Sequence, residues 1–240
     1  MAFAEKTRPG GVDEAFAEGS SWRSRAGPWA WVVAAAALGF ALSAVFSGWL
    51  HLRRAPFLVP YLLGTAAFLE AYRRRAGVDV VEATRSRWPA GVVGAVASGA
   101  FVVWSVLRQP PSPAPASPAF HVLWLGVAYG AADGLLLSVL PVAATWRALS
   151  AAGRKAPWGG RLLGGVLALA ASLLVTAAYH LGYPEFRGAS LAGPLVGCGV
   201  MSLAYVLARN PLAAVLSHVA MHVAAVLHGI DSTVQLPPHG

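Results

Sequence analysis

Seven apolar stretches, separated by short polar or proline-marked breaks, set the pattern of this 240-residue chain. They run over about 28–50, 56–70, 89–107, 119–146, 161–181, 190–208 and 211–229. None shows the alternation of period two that a membrane β-barrel strand requires, and hydrocarbon then leaves only helices as spanning elements. A helix of roughly 20 apolar residues crosses a bilayer. The pattern therefore predicts an all-α fold, a polytopic transmembrane helix bundle of about seven spans. The second stretch is the shortest of the seven. Pro28, Pro56, Pro89, Pro118 and Pro211 mark the starts of five stretches, where the first helical turn does not need the missing amide donor. In "ARNPLAAV", Asn210 is expected to cap the last helix with Pro211 just inside it. The run "QPPSPAPASP", 109–118, reads as a stiff extended loop.

The organisation follows. Residues 1–27 mix charge, Gly and Ser, and read as a disordered cytoplasmic tail. Residues 28–118 hold accessory spans and the Pro-rich loop. Residues 119–230 form a core of four spans, and 231–240 a short extracytoplasmic tail. The polar lead with Asp13, Glu14 and Glu18, and the length of the first apolar run, do not fit a signal peptide.

Composition agrees: 57% of residues are hydrophobic, 12% are charged, and mean hydropathy is +0.59. Cys198 is the only cysteine, which excludes an internal disulfide. The net charge of +8 raises nucleic acid as a partner, but the basic residues sit between apolar runs and read as membrane orientation instead. With the amino terminus inside, only Arg53, Arg54, Arg108 and Arg187 of the 18 Lys and Arg fall outside, leaving 14 in the cytoplasm. That is the asymmetry of the positive-inside rule. The expected location is a cell membrane, multi-pass, with the amino terminus cytoplasmic. The Ala-, Arg- and Gly-rich composition suggests a bacterial inner membrane.

Two glycine patterns predict close helix approach. Gly126, Gly130 and Gly134 recur every four residues in the fourth span, and Gly193 and Gly197 stand in the same relation in the sixth.

The chemistry lies in the few ionisable residues inside apolar runs. Asp133 is near the middle of the fourth span, His180 ends the fifth, and His218 and His222 lie in the seventh. A carboxylate at that depth costs on the order of 2.5–3.5 kcal/mol on insertion scales, so these groups are expected to converge in one cavity. His218 and His222 are one turn apart, offset by about 40° around the helix. Such a pair can chelate a transition metal, bind a substrate carbonyl or share a hydrogen-bond network. One carboxylate with three imidazoles is a candidate set for a divalent metal such as zinc. His121 and His228 are expected at the membrane interface.

The order "VTAAYHLGYPEFRG", a Gly-rich span, the "ARNP" turn and "LAAVLSHVAMH" resembles the CPBP family. These are the CAAX-protease and bacteriocin-processing membrane peptidases, also called the Abi or type II CAAX endopeptidase family. The resemblance covers about 119–230. Family members carry Glu-Glu-x-x-x-Arg, then Phe-x-x-x-His, then His-x-x-x-Asn or Asp. His180 matches the second motif, with Thr176 at its aromatic position. His218 matches the third, with His222 where Asn or Asp is usual. Ala132 and Asp133 occupy the Glu-Glu positions and Leu137 the Arg position.

The resemblance implies an intramembrane endopeptidase acting on a membrane-associated peptide or lipidated protein, with the bilayer as its medium and no nucleic acid. Alanine cannot accept a proton, so Asp133 is the expected base or metal ligand. His180, His218 and His222 would hold a metal, orient water or stabilise an oxyanion, and Glu185 is a rival carboxylate. Ala132→Glu alone is expected to restore little activity, and Ala132→Glu with Leu137→Arg more. The alternative is a catalytically inactive protein on the same scaffold that binds a peptide, lipid or partner helix.

Overall fold

The structure, a computed structural model, describes residues 27–111, 117–151 and 158–229. The tails expected over 1–27 and 231–240 fall almost wholly outside the described residues, as does the middle of the Pro-rich loop, 112–116. The described residues contain helices and no strand. We label them α1 (Gly27–Trp49), α2 (Arg54–Ala76), α3 (Val80–Arg85), α4 (Trp88–Leu107), α5 (Ala119–Ser150), α6 (Trp158–Leu181), α7 (Ala192–Ala208) and α8 (Leu212–His228). Six are long and apolar enough to cross a membrane, and α8, also apolar, is a shorter seventh. This is a multi-pass helical membrane bundle.

Two local features depart from the sequence pattern. Helix α2 continues to Ala76, six residues past the expected end of the second stretch. Its last turns are charged, so hydropathy reads them as loop. Glu70 there pairs with Arg73 at 2.6 Å and with Arg74 at 2.5 Å, the three- and four-residue spacings that meet on a helix. The helix stops where Gly77 takes a left-handed conformation (φ 60°). The short α3 was also unforeseen, although "DVVE" carries its signal. Asp79 caps it by accepting from the Glu82 amide at 3.0 Å.

Asn210 stands one residue outside the expected position, because Pro211 and not Asn210 is the cap residue of α8. Its Oδ1 accepts from the Leu212 amide at 2.9 Å, so α8 starts after Pro211 rather than at it. Its Nδ2 donates to the carbonyls of Thr84 (2.9 Å) and Ser86 (2.6 Å). One side chain thus ties the start of α8 to the α3–α4 turn.

Helix α8 lies against α4, α5 and α7. Its approach to α5 is made by the predicted glycines. A Cβ at Gly126, Gly130 or Gly134 would sit 2.8 Å from Val223 Cγ2, Val219 Cα or Val215 Cα respectively. The second pattern does not behave this way. Gly193 and Gly197 have nothing within 4 Å of an added Cβ and line a cavity instead. Spacing creates a smooth stripe, but a neighbour must still lie on it. Gly130→Val is therefore expected to destabilise the bundle by about 1–3 kcal/mol through overpacking. Gly197→Val is expected to leave stability unchanged. Thermal unfolding of the two variants in detergent checks the contrast.

Candidate functional site

The glycine ladder explains how a short carboxylate reaches the imidazoles. At Gly134 an added Cβ would lie 3.4 Å from His218 Cβ, so the α5 backbone at Asp133 runs directly beside α8. Around this point α5 carries π-type turns, at Val122–Ala128 and Gly134–Val139. Such turns are frequent at functional sites.

Asp133 is 4% exposed. Its Oδ1 accepts a short hydrogen bond from the Tyr61 hydroxyl of α2. Its Oδ2 lies 3.3 Å from His222 Nε2. His218 and His222 are buried, with rings nearly parallel at 20° and centroids 6.3 Å apart. One ligand atom from each of Asp133, His218 and His222 can be chosen so that all lie within 4.8 Å of one another.

His218 Nδ1 and both nitrogens of His222 are buried without a hydrogen-bond partner. His222 Nε2 is near Oδ2 but not aligned to bond it. His218 Nε2, by contrast, meets Ser138 Oγ at 3.2 Å.

Behind Ser138 lies a chain of hydroxyls. Ser202 donates to Ser138 at 2.8 Å and contacts Ser172 at 2.7 Å, and Ser172 reaches the Leu137 carbonyl at 2.6 Å. Thr176 donates to Cys198 Sγ at 2.9 Å in the same region. On the other side stand four buried tyrosines. Their hydroxyls run Tyr129–Tyr179–Tyr183 at 2.6 Å per link, and the Tyr129 ring sits 4.6 Å from the His222 ring. Tyr61 packs against Tyr129 and Tyr179 with centroids 5.4 Å apart. Hydroxyls on one side and phenols on the other restrict how both imidazoles and the carboxylate can turn.

Asp133, His180, His218 and His222 all line one half-open cavity of about 410 Å³. They do not form a single four-ligand set. His180 stands outside the close trio. Its Nδ1 faces the Thr176 carbonyl at 2.8 Å. A carbonyl only accepts, so Nδ1 carries a proton, and in the neutral ring Nε2 is the bare nitrogen. Phe186 and Tyr179 hold the ring edge-on at 5.0 Å.

Leu137 lines the cavity, whereas Ala132 is packed in the apolar core and does not. Glu185 is exposed in the Pro184–Phe186 turn, where its carbonyl accepts from Ser190 Oγ at 2.6 Å, and it is not among the cavity-lining residues. His121 and His228 bond carbonyls at helix ends, of Ser117 at 2.8 Å and Gln109 at 2.6 Å, and lie outside the cavity.

The tyrosines and the Ser138 chain were missed from sequence. Tyr129 lies four residues before Asp133, and Tyr179 and Tyr183 flank His180, so helical spacing carried a usable signal for those three. Comparison with family models, curated proteins and solved structures finds no match for this chain.

Proposed function

We propose that this bundle is an intramembrane hydrolase of the CPBP kind, an endopeptidase for a membrane-associated peptide, with Asp133, His218 and His222 as its chemical centre. The observation that carries the reading is the set of three buried ring nitrogens left without partners beside a carboxylate, on the wall of an open cavity. A buried polar atom with no partner costs about 1–3 kcal/mol. The hydroxyls of Ser47, Thr65 and Tyr72 are also buried without a partner, but the imidazole nitrogens belong to residues that line the cavity beside a carboxylate, and that arrangement supports a group bound between them.

A divalent ion such as zinc fits that description. Carboxylate oxygen and imidazole nitrogen are zinc donors, and bonds of about 2.0–2.2 Å in a tetrahedron put two donors roughly 3.4 Å apart. Asp133 Oδ2 and His222 Nε2 are separated by 3.3 Å without hydrogen-bond alignment. Asp133, His218 and His222 would hold the ion, and Ser138 would accept from His218 Nε2–H and fix which nitrogen faces it. The ion would lower the pKa of a bound water to about 7 and polarise a carbonyl. His180, with Nε2 bare, is suited to accept a proton within the same cavity.

A second reading, a non-catalytic receptor for a peptide, lipid or partner helix, draws on Ala132 and Leu137, which replace the first acid and the arginine of the family's first motif. Cleavage separates the two. The purified protein in liposomes is expected to cut a membrane-associated peptide, and a zinc chelator is expected to stop it. Peptide binding without any product, at any divalent ion supplied, would favour the receptor.

A further inference from the structure

The cavity belongs to one end of the bundle. His180 is in the last turn of α6, Gln109 follows the end of α4, and 192–194 form the first turn of α7. His222 lies in the second half of α8. All of these residues line the cavity.

The opposite end holds Arg73, Arg74, Arg75, Arg85, Arg87 and Arg209, in the last turn of α2, the α3 segment and the α7–α8 turn. Arg147 and Arg161 lie toward that end too. The cavity end carries only Arg53, Arg54, Arg108 and Arg187 among the described residues. Arg108 there lies over the Trp104 ring at 4.4 Å, an interfacial arrangement of cation and aromatic. Short loops rich in arginine stay in the cytoplasm.

The wall between α4 and α7 is also thin. Gly193 and Gly197 offer no side chain, and Phe101 and Val196, which line the cavity with them, are exposed.

We infer that the cavity opens to the extracytoplasmic side, and that its ligand is an apolar peptide segment presented on that side of the membrane rather than the end of a cytoplasmic lipidated protein. The word peptide rests on the function proposed above, whereas the sidedness does not. The walls are largely apolar, and the polar groups sit at its depth and at Ser105 and Gln109. That distribution suits a hydrophobic segment whose backbone alone needs hydrogen bonds.

The test uses the full chain carrying Cys198→Ser, because Cys198 also lines the cavity, in intact cells with a membrane-impermeant maleimide. Gly193→Cys places a thiol at an exposed position with space around it. Arg85→Cys places one at the exposed opposite end. Gly193→Cys is expected to label in intact cells, and Arg85→Cys only after permeabilisation. Ala192→Cys, also exposed, repeats the cavity-side measurement should Gly193→Cys express poorly. The reverse pattern, or labelling of the cavity-side thiols only after permeabilisation, overturns the inference. Labelling needs no catalysis, so an inactive protein with the expected pattern would sink the peptidase reading and leave the sidedness standing.

Discussion

Asp133→Asn is expected to abolish peptide hydrolysis while leaving the bundle folded. Asparagine keeps the size of the side chain, and its Oδ1 still accepts from the Tyr61 hydroxyl. What disappears is the negative charge facing His222 at 3.3 Å. In the proposed site this carboxylate would hold the ion, so its loss would remove the activation of water and the polarisation of the carbonyl together. Cleavage rate and thermal unfolding, measured on the same preparation, check both halves of the expectation. Undiminished cleavage in the variant would exclude Asp133 from the chemistry. Tyr61→Phe gives a graded version. It keeps the charge but removes the donor to a buried carboxylate, at a cost of about 1–3 kcal/mol in stability.

The second large effect is on folding. Ala132→Glu is expected to lower the yield of folded protein sharply and to add no activity. By its resemblance to the CPBP motif, the sequence alone makes Ala132 look like the place for that motif's first acid. In the structure Ala132 is 7% exposed, belongs to the apolar core with Tyr129 and Leu136, and does not line the cavity. A carboxylate there carries an insertion cost of about 2.5–3.5 kcal/mol, with overpacking of about 1–3 kcal/mol besides. Adding Leu137→Arg is not expected to rescue it, because Leu137 is itself only 1% exposed in the same apolar core, so the second change buries a guanidinium as well. The gain expected of the double variant therefore loses its ground. Size-exclusion profiles and unfolding curves of the single and double variants measure this. A monodisperse, stable Ala132→Glu protein would contradict the placement of Ala132.

These two residues also mark what the sequence could reveal. Asp133 and the two histidines of α8 stand out because ionisable groups in apolar runs are expensive, so their presence invites a site. The seven helices are legible for a related reason: lipid admits few alternatives to a helix. The Gly126, Gly130 and Gly134 ladder was readable as well.

The rest depended on neighbours that spacing does not name. Gly193 and Gly197 repeat the same interval yet meet no helix. His180 shares the cavity but is held to its own helix by the Thr176 carbonyl, so it stays out of the close trio. Tyr61 lies in the shortest apolar stretch, where a tyrosine is unremarkable until α2 is seen to lie across Asp133. Adjacent positions on one helix can differ in this way: Asp133 lines the cavity and Ala132 does not.

The central claim is that Asp133, His218 and His222 bind one divalent ion. The most direct measurement is the metal content of the full chain, purified without chelator and then titrated with zinc. The expected result is one tightly bound zinc ion per chain, lost in both His222→Ala and Asp133→Asn while the variants remain folded. A folded protein that binds no divalent ion, or one whose binding survives both substitutions, would contradict it.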